Sequence, residues 1–462
     1  MNAARVLAAA MFVVLMVGHA RATAPLSLGH SAFALNGPWK FHLGDEPRWA
    51  LASADDSHWQ NIDLTPRPGV HDDDVGLPNY VPGWAARGHA GYYGYAWYRL
   101  HFALSAPPGE ILALAGPFAV DSAYQLYLNG RLMGGVGDFS GRTPVAFSYH
   151  RPALFVLPPD TANAGRVVVA VRAWMGPWSR SPDAGGMHIA PVIGSRGSVS
   201  DQYRLQWLIL FEGYVVDALE GLALLLLGLM TLSIMPFDRT SRSYIWLAAA
   251  LLFLAIHRGN QAIMFLGNFE TIHAFELFII VLAIPIYMGA WVMAWRSWFA
   301  LKAPEWLPGT IIVLTAVYML AAFLTRSWFR TAYPEIMFVS LHYIISGVRY
   351  AFLAFYALTA YQALRHARRE ALYALPALLV LGVGLYGGEL LYLGTPGIWF
   401  PFGIGLSLSE IAYALFALLF PALLLRRLWS YASRDRPIKR LYLDGGDQTL
   451  GVKRMGGEAA PG

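Results

Sequence analysis

The sequence contains no cysteine in its 462 residues. This absence excludes disulfides, thiolate zinc sites, iron–sulfur clusters and cysteine nucleophiles together. Charged residues are also scarce, at 14% of the chain, whereas soluble proteins average about 25%. With 56% apolar residues, the composition argues against a soluble single-domain enzyme and against a disordered chain.

Lysine and glutamate are rare where particular functions would need them. Residues 23–205 contain only two glutamates, Glu46 and Glu110. Because a glycosidase needs two positioned carboxylates, we do not expect this half to be an enzyme. The chain has four lysines, and none lies in the long apolar stretches, so a retinal pigment with its buried Schiff-base lysine is excluded.

Other familiar motifs are missing too. Phosphate loops, zinc-protease motifs and serine-hydrolase elbows are absent, and we expect neither a cofactor nor a metal. The acidic run from His71 to Asp74 is interpreted as a solvated loop rather than a calcium site. No basic stripe interleaved with aromatic residues is present, so we expect no nucleic-acid partner.

Residues 1–22 have the pattern of a secretory signal peptide. Arg5 supplies the positive n-region, Val6 to Val17 form a short apolar h-region, and Ala20-Arg21-Ala22 is a small-x-small cleavage site. We therefore expect residues 25–200 to form an exported domain.

Seven apolar stretches of about 20 residues follow, each long enough to cross a hydrocarbon core of about 30 Å. They lie near 208–235, 244–266, 275–295, 309–325, 336–360, 373–394 and 403–425. We predict a seven-helix membrane domain over 206–427 and a short cytoplasmic tail over 428–462. Thirteen lysines and arginines fall in the segments assigned to the cytoplasm and three in the outer loops, Arg258, Arg326 and Arg330. This bias follows the positive-inside rule and predicts a multi-pass protein of a bacterial inner membrane, in contact with the lipid bilayer.

The exported half has a different pattern, with short alternating or β-branched runs between turn residues. The runs are 97–102, 111–115, 123–128 and 167–171. Asn129-Gly130 follows the third run, and this pair favours a tight hairpin because both residues tolerate positive φ. The predicted fold is therefore an all-β jelly-roll sandwich followed by an all-α seven-helix membrane bundle.

Three phrases in this half occur in a recognisable order: Trp39-Lys40-Phe41, Asp55-Asp56-Ser57-His58-Trp59 and Leu126-Tyr127-Leu128-Asn129-Gly130. Over about residues 35–195 the chain resembles the galactose-binding-like jelly roll at the N-terminus of family 2 glycoside hydrolases. Joined to seven spans, it resembles the bacterial seven-transmembrane receptors with diverse intracellular signalling modules. The resemblance implies a binding or scaffold domain. Because no output domain is recognisable after the last span, where members of that receptor family commonly have one, we expect either a signal that passes to a separate cytoplasmic signalling protein or a shortened relative that has lost its output domain.

Aromatic and arginine side chains in two glycine-rich stretches are candidates for contact with a small polar or carbohydrate ligand. Aromatic rings stack on sugar faces, and arginine binds hydroxyl or carboxylate groups through its fork of donors. The alternative is that these loops pack on the sandwich end or on the membrane face. The candidates are Trp84, Arg87, Tyr92, Tyr93, Trp178 and Arg180.

Ionisable residues inside apolar stretches are costly and usually have a function. The predicted intramembrane polar core comprises Glu212, Asp217, Glu220, Arg258, His342, Arg349, Glu389 and Glu410. Arg349 is the mid-span cation, with Glu220, Glu389 and Glu410 as possible partners. This core is interpreted as a set of groups that rearranges during signalling, as static pairs that fix helix packing, or as a proton or ion path.

These patterns favour an envelope receptor that senses an extracytoplasmic ligand and relays the change through its helices. The alternative is a transporter or a membrane assembly component whose exported domain is a substrate-capturing cap.

Overall fold

In the computed structural model, the described residues form a β-rich part up to Ser195 and a helical part after it. They are residues 32–72, 76–104, 106–107, 109–141, 143–145, 150–163, 165–176, 182–235, 243–267, 271–302, 304–326, 329, 334–391, 398–399 and 405–450. The signal-peptide prediction for 1–22 lies outside them.

The β-rich part contains two sheets that face each other. Its strands are β1 (Ala32–Ala34), β2 (Trp39–Leu43), β3 (Gln60–Ile62), β4 (Gly94–Leu104), β5 (Leu112–Ala115), β6 (Val120–Asp121), β7 (Ala123–Leu128), β8 (Arg131–Val136), β9 (Leu154–Val156), β10 (Gly165–Met175), β11 (Gly186–Met187) and β12 (Val192–Ser195). A six-stranded sheet has the order β3-β2-β4-β10-β7-β8, and a four-stranded sheet has the order β1-β12-β5-β9. The four runs predicted as strands lie in β4, β5, β7 and β10, which confirms a β-sandwich-like region.

Alternation along β4 decides which side chains reach the core. β4 and β10 pair antiparallel over eleven residues, from Gly94 opposite Met175 to Leu104 opposite Gly165. Tyr98 points into the space between the sheets, where it joins the hydrophobic core, whereas its neighbours in sequence point to the outer face of the six-stranded sheet. The predicted hairpin is also present, because Asn129 (φ 49°) and Gly130 (φ 87°) connect β7 to β8.

The helical part consists of long apolar helices. They are α1 (Arg196–Ile234), α2 (Ser243–Leu266), α3 (Ile272–Trp298, with a π-helical segment at Glu276–Ala283), α4 (Leu307–Leu324), α5 (Glu335–His366), α6 (Arg368–Leu385), the short α7 (Gly387–Leu391) and α8 (Leu408–Leu450). Among the described residues, α1, α2, α3, α4, α5 and α8 are long and apolar enough to cross a membrane, which is consistent with a multi-pass membrane protein.

The predicted count of seven membrane helices is not confirmed. The stretch predicted as the sixth span, 373–394, forms α6 and α7, which are separated at Tyr386. α6 has 18 residues, as α4 does, but its first three residues, Arg368, Arg369 and Glu370, are all charged, so it lacks an uncharged apolar run of that length.

The sandwich passes into the helical part without a loop. β12 ends at Ser195, which caps the first turn of α1 by accepting a hydrogen bond from the backbone of Ser198. α1 therefore begins well before the predicted first span, and its early residue Val199 packs on Ala113 and Ala115 of the four-stranded sheet. At the other end of the chain, α8 continues to Leu450, so much of the predicted tail is helical.

A second contact joins loops of the sandwich to the helix ends. Leu77 and Phe118 share a buried cluster with Tyr214 of α1 and Phe265 of α2. The Tyr214 and Phe265 rings stack with centroids 4.2 Å apart. We call this cluster the junction. Because it is apolar and buried, it ties the sandwich to the first two helices independently of the direct β12–α1 connection.

Candidate functional site

A buried guanidinium group lies between three helices in the helical part. Arg258 of α2 forms ion pairs with Asp217 and Glu220 of α1 and with Glu410 of α8. Its Nε donates to Glu220 at 2.8 Å, and its Nη2 donates to Glu410 at 3.2 Å. The side chains are at most 9% exposed. These four residues are called the Arg258 cluster.

The start of α8 holds Glu410 in place. The second oxygen of Glu410 accepts a hydrogen bond from Ser407 N at 2.6 Å, and Ser407 Oγ accepts from Glu410 N at 3.2 Å. This reciprocal pattern is a capping box, which fixes the glutamate at a helix N-terminus. The Tyr413 ring, one turn later, lies 5.7 Å from the guanidinium carbon of Arg258 and adds a cation–π contact.

Two further ion pairs, one partly buried and one buried, each join one helix to another. Arg349 of α5 forms a two-pronged pair with Glu389 of α7, with Nη2 at 2.8 Å from a carboxylate oxygen. Arg326, which follows α4, pairs with Glu276 of α3 at 3.3 Å. Since a buried charge without a partner is costly, each pair favours one arrangement of the helices that it joins.

The structure brings together part of the predicted polar core and corrects its pairing. Arg349 pairs with Glu389, whereas Glu220 and Glu410 bind Arg258. Arg258 lies within α2 and not in an outer loop, and its side chain is buried against carboxylates of the bundle. Arg326 follows α4, and its side chain is buried against Glu276.

Two predicted members of the core lie apart from this cluster. Glu212 is exposed on α1. His342 contacts its own helix, with its ring on Phe338 and its Nδ1 2.9 Å from the Phe338 carbonyl.

The junction contains polar groups that sequence reasoning missed. Asp72 is buried and accepts a hydrogen bond from Leu77 N at 2.7 Å, so this part of the acidic run is not the solvated loop that the sequence predicts. His150 lies 3.8 Å from the Asp72 carboxylate and 3.5 Å from the Tyr214 hydroxyl of α1. Arg151 donates to the Gly267 carbonyl after α2 at 2.9 Å. Polar contacts therefore reinforce the apolar connection between sandwich and helices.

A second buried histidine lies beneath the junction loops. His188 has Nδ1 2.9 Å from the Val81 carbonyl and Nε2 3.2 Å from Asp121. Because both partners accept hydrogen bonds, both ring nitrogens donate, which requires the imidazolium form. Burial alone lowers the pKa of His188, but the Asp121 carboxylate outweighs this effect and the net pKa is raised. Burial likewise raises the pKa of Asp121, and the positive His188 outweighs it, so that pKa is lowered.

The predicted ligand residues that the structure describes differ in their exposure and contacts. Trp84 is fully buried in the sandwich core, so its ring is not available at the surface. Arg87 donates to the Pro82 carbonyl at 3.0 Å, and the Tyr92 hydroxyl donates to the Tyr95 carbonyl at 2.7 Å. Tyr93 is exposed. Trp178 and Arg180 lie outside the described residues.

The outer face of the six-stranded sheet carries a polar and aromatic patch that sequence reasoning did not single out. Arg172 of β10 donates to both oxygens of Asp45 and, at 2.9 Å, to Gln125 of β7. Its guanidinium carbon lies 4.3 Å from the Tyr95 ring centre and 5.7 Å from that of Phe139. Strand alternation in β4 and β10 could have placed Tyr95 and Arg172 on this face, whereas the approach of Asp45 depends on a loop.

Comparisons with known proteins cover only the sandwich. No protein-family profile matches the chain, and no curated protein matches it. Similar solved structures include a Bacteroides uniformis β-glucuronidase (20% identity, TM-score 0.26, 36% of this chain and 18% of the enzyme). A family 2 glycosyl hydrolase from Bacteroides cellulosilyticus has 22% identity and a TM-score of 0.24 over 36% of this chain and 20% of that protein.

A Ruminococcus gnavus β-glucuronidase is similar at 14% identity, with a TM-score of 0.24 over 36% of this chain and 30% of the enzyme. The matched region is the N-terminal part of this chain. The chain thus covers less than a third of each of these enzymes. Identities and TM-scores this low do not carry the enzymes' activity over to this chain.

Proposed function

We propose that the chain is a receptor of a bacterial inner membrane, in which an exported sandwich senses a small polar or carbohydrate ligand and moves α1. The observation that carries the proposal is the direct passage from β12 into α1 at Ser195. A movement of the four-stranded sheet is transmitted to a helix that begins inside the same unit. About 21 residues later, or roughly 30 Å along the helix axis, α1 carries Asp217 and Glu220.

The Arg258 cluster is the next step in the proposed relay. Asp217 and Glu220 lie on α1, Arg258 on α2 and Glu410 on α8, so a rotation of α1 changes the pairing of α8 with α2. α8 continues towards the C-terminus and, in this proposal, presents the change to a separate cytoplasmic signalling protein. A ligand drives the change only if it binds one arrangement better than the other.

In the proposed topology α6 crosses the membrane as a seventh span, which leaves the sandwich outside and the C-terminus in the cytoplasm. One face of α6 packs in the bundle through Ala374, Ala377 and Leu381, and Leu372 and Leu379 are exposed on another face, as lipid contact requires. Tyr356 of α5 donates to the Leu378 carbonyl of α6 at 2.7 Å. Periplasm-active and cytoplasm-active reporters fused after residue 450 test the topology, and periplasmic activity there would overturn it.

The ligand class is tested on the full chain in nanodiscs. Thermal unfolding is measured with glucose, galactose, glucuronic acid, amino acids and peptidoglycan fragments, and a dose-dependent rise in the midpoint identifies a binder. The same measurement on Arg172→Ala and Tyr93→Ala then tests whether the patch around Arg172 or the exposed loop with Tyr93 contributes to ligand binding. Arg131→Ala is an exposed control on the same sheet as Arg172.

The relay is tested with that binder and with spin labels, which the cysteine-free chain accepts without prior substitutions. Labels at Leu232 of α1 and Leu425 of α8, both exposed, report the distance between these helices, and a pair at Leu219 and Leu232 within α1 is the control. The binder should shift the first distance and not the second. A flexible Gly-Ser insertion between Ser195 and Arg196 should abolish the shift and retain binding.

Two results would overturn the receptor proposal. One is an unchanged distance between α1 and α8 at saturating binder. The other is gradient-driven uptake of the binder into liposomes, which would assign the chain to the transporter class instead.

A further inference from the structure

The charges of the Arg258 cluster do not balance. One guanidinium group faces the carboxyl groups of Asp217, Glu220 and Glu410, all of them buried. If every group were ionised, the cluster would carry a net charge of −2. Isolated charges of this kind are strongly disfavoured away from water, and a carboxylate without a counter-charge takes up a proton instead.

The hydrogen bonds show where the imbalance lies. One oxygen of Glu220 accepts from Arg258, and both oxygens of Glu410 accept hydrogen bonds, from Arg258 and from Ser407. Neither oxygen of Asp217 accepts a hydrogen bond from any residue that the structure describes, although Oδ1 lies in the ion pair with Arg258, and Glu220 Oε1 accepts none either. The oxygens of the cluster without a hydrogen-bond donor are therefore all on α1.

The surrounding groups do not compensate these charges. From α8, the cluster is faced by Tyr413 as well as Glu410, and a phenol is neutral at physiological pH. Beside Arg258 on α2, His257 lies with Nδ1 3.3 Å from the hydroxyl of Tyr287 on α3, and its ring stacks on that tyrosine.

Two other guanidinium groups among the described helices are already matched by carboxylates. Arg349 pairs with Glu389, and Arg326 pairs with Glu276. Neither is an available counter-charge for α1.

We propose that the Arg258 cluster is a proton-binding site, which holds one proton on Asp217 and one on Glu220 when the helices are packed as in this structure. Arg258 then neutralises Glu410, and the net charge is zero. The two protons come from solvent and bind to carboxylate oxygens, so no bond other than O–H is made or broken. Since both protonated groups lie on α1, a movement of α1 that admits water releases protons, which links the position of this helix to pH. This inference goes beyond the proposed receptor role and does not depend on it.

The test compares Glu220→Gln and Asp217→Asn with Glu389→Gln in the full chain in nanodiscs. A glutamine resembles a protonated glutamate, so it replaces Glu220 without changing the charge of the proposed site. At Glu389 the same substitution removes the counter-charge of Arg349. Infrared spectroscopy reports the C=O stretch of protonated carboxyl groups, and thermal unfolding reports stability.

At neutral pH, Glu220→Gln and Asp217→Asn should each remove part of the protonated-carboxyl absorption and leave the unfolding midpoint within a few degrees of the parent. Glu389→Gln should leave the absorption unchanged and lower the midpoint clearly. An unchanged absorption in both α1 variants would overturn the proposal, and so would failure of Glu220→Gln to fold, since a neutral side chain is what the site already holds.

A bound sodium ion is the competing way to balance the charge. It predicts no protonated-carboxyl absorption and a midpoint that rises when NaCl replaces choline chloride at constant ionic strength. That pair of results would also overturn the proton-binding site.

Discussion

The sandwich and the helical part both bury an arginine, and they surround it differently. Arg99 of β4 is completely buried on the outer face of the six-stranded sheet. It meets one carboxylate, Asp56, at 2.7 Å, and its other donors reach the backbone carbonyls of Trp49, Leu51 and Ala54. Arg258 meets three carboxylates instead.

The difference distinguishes an arginine that fixes a loop on the sheet from an arginine whose ion pairs can change. One charge pair and three neutral carbonyls engage four of the five N–H donors of Arg99 and hold the loop of residues 44–59 on the sheet, with one carboxylate for one guanidinium. A surplus of carboxylates around Arg258 leaves several pairings available to one guanidinium group, and each depends on how the helices lie. We therefore interpret Arg99 as structural and Arg258 as part of a movable element.

Removing Arg258 should have the largest effect. In Arg258→Met the third carboxylate of the cluster loses its counter-charge, and breaking a buried ion pair in this way costs about 3–5 kcal/mol. We expect most of the protein to be lost to aggregation on size-exclusion chromatography, with a strongly lowered unfolding midpoint in the remainder. Arg204→Met is the matched control, because Arg204 is exposed and pairs with Asp201 at the surface. Equal stability of the two variants would contradict the importance of the cluster.

Removing Arg99 should have a smaller effect. Arg99→Met leaves Asp56 without its guanidinium and three carbonyls without a donor, but Asp56 borders solvent and keeps His101 at 2.6 Å. The expected loss is about 2–4 kcal/mol, because water can replace part of the lost hydrogen bonding. Limited proteolysis should show new cleavage within residues 44–59, and the helical part should stay intact. Cleavage confined to the helices would contradict this assignment.

Gly221 tests how closely α1 and α2 must pack for the cluster to form. A Cβ at Gly221 would lie 2.7 Å from the backbone nitrogen of Gly259, whereas a Cβ at Gly259 has nothing within 4 Å. Gly221→Ala should therefore force the helices apart and cost about 1–3 kcal/mol. Gly259→Ala is the control and should leave the unfolding midpoint nearly unchanged. A loss of similar size in both variants would contradict close packing at Gly221 as the cause, because helix propensity favours alanine over glycine at both positions.

The sequence predicts the elements better than their partners. Runs such as Val167–Val171 indicate strands because β-branched residues are enriched there, and Asn129-Gly130 indicates the hairpin because both residues adopt positive φ. Acidic residues in apolar stretches mark the polar core because such residues are rare there. Each of these signals depends on residues that are close together along the chain, so a single sequence is enough to detect it.

Pairing depends on how each helix is rotated, and spacing along one chain does not contain that information. The sequence predicts Arg258 both in the polar core and among the cations of the outer loops, and the rotation of α2 puts it in the core. Trp84 lies in a glycine-rich stretch that folds back into the sandwich core, where its ring packs on Phe41 at 6.1 Å. Both errors arise because burial is decided by elements distant in sequence.

The smallest expected effect concerns the pH dependence of stability. It compares the His188–Asp121 pair of the sandwich, in which one cation meets one carboxylate, with the Arg258 cluster of the helices, in which carboxylates outnumber cations. Because the pKa of His188 is raised above its ordinary value of 6.5, the stability from the His188–Asp121 pair is complete below that pH and is lost as pH rises through the raised value. The lowered pKa of Asp121 adds a loss on the acid side, as pH falls below 3.8.

In His188→Gln, the fall of the free energy of unfolding as pH rises above 6.5 should therefore be shallower than in the parent chain, by at most about 1.4 kcal/mol per pH unit. His58→Gln is the control, because His58 is exposed and should leave the slope unchanged. The contrary outcome is that stability falls with pH equally in His188→Gln and in the parent chain, and less steeply in Glu220→Gln. In that case the pH dependence comes from the helices alone, and the imidazolium form inferred for His188 is wrong.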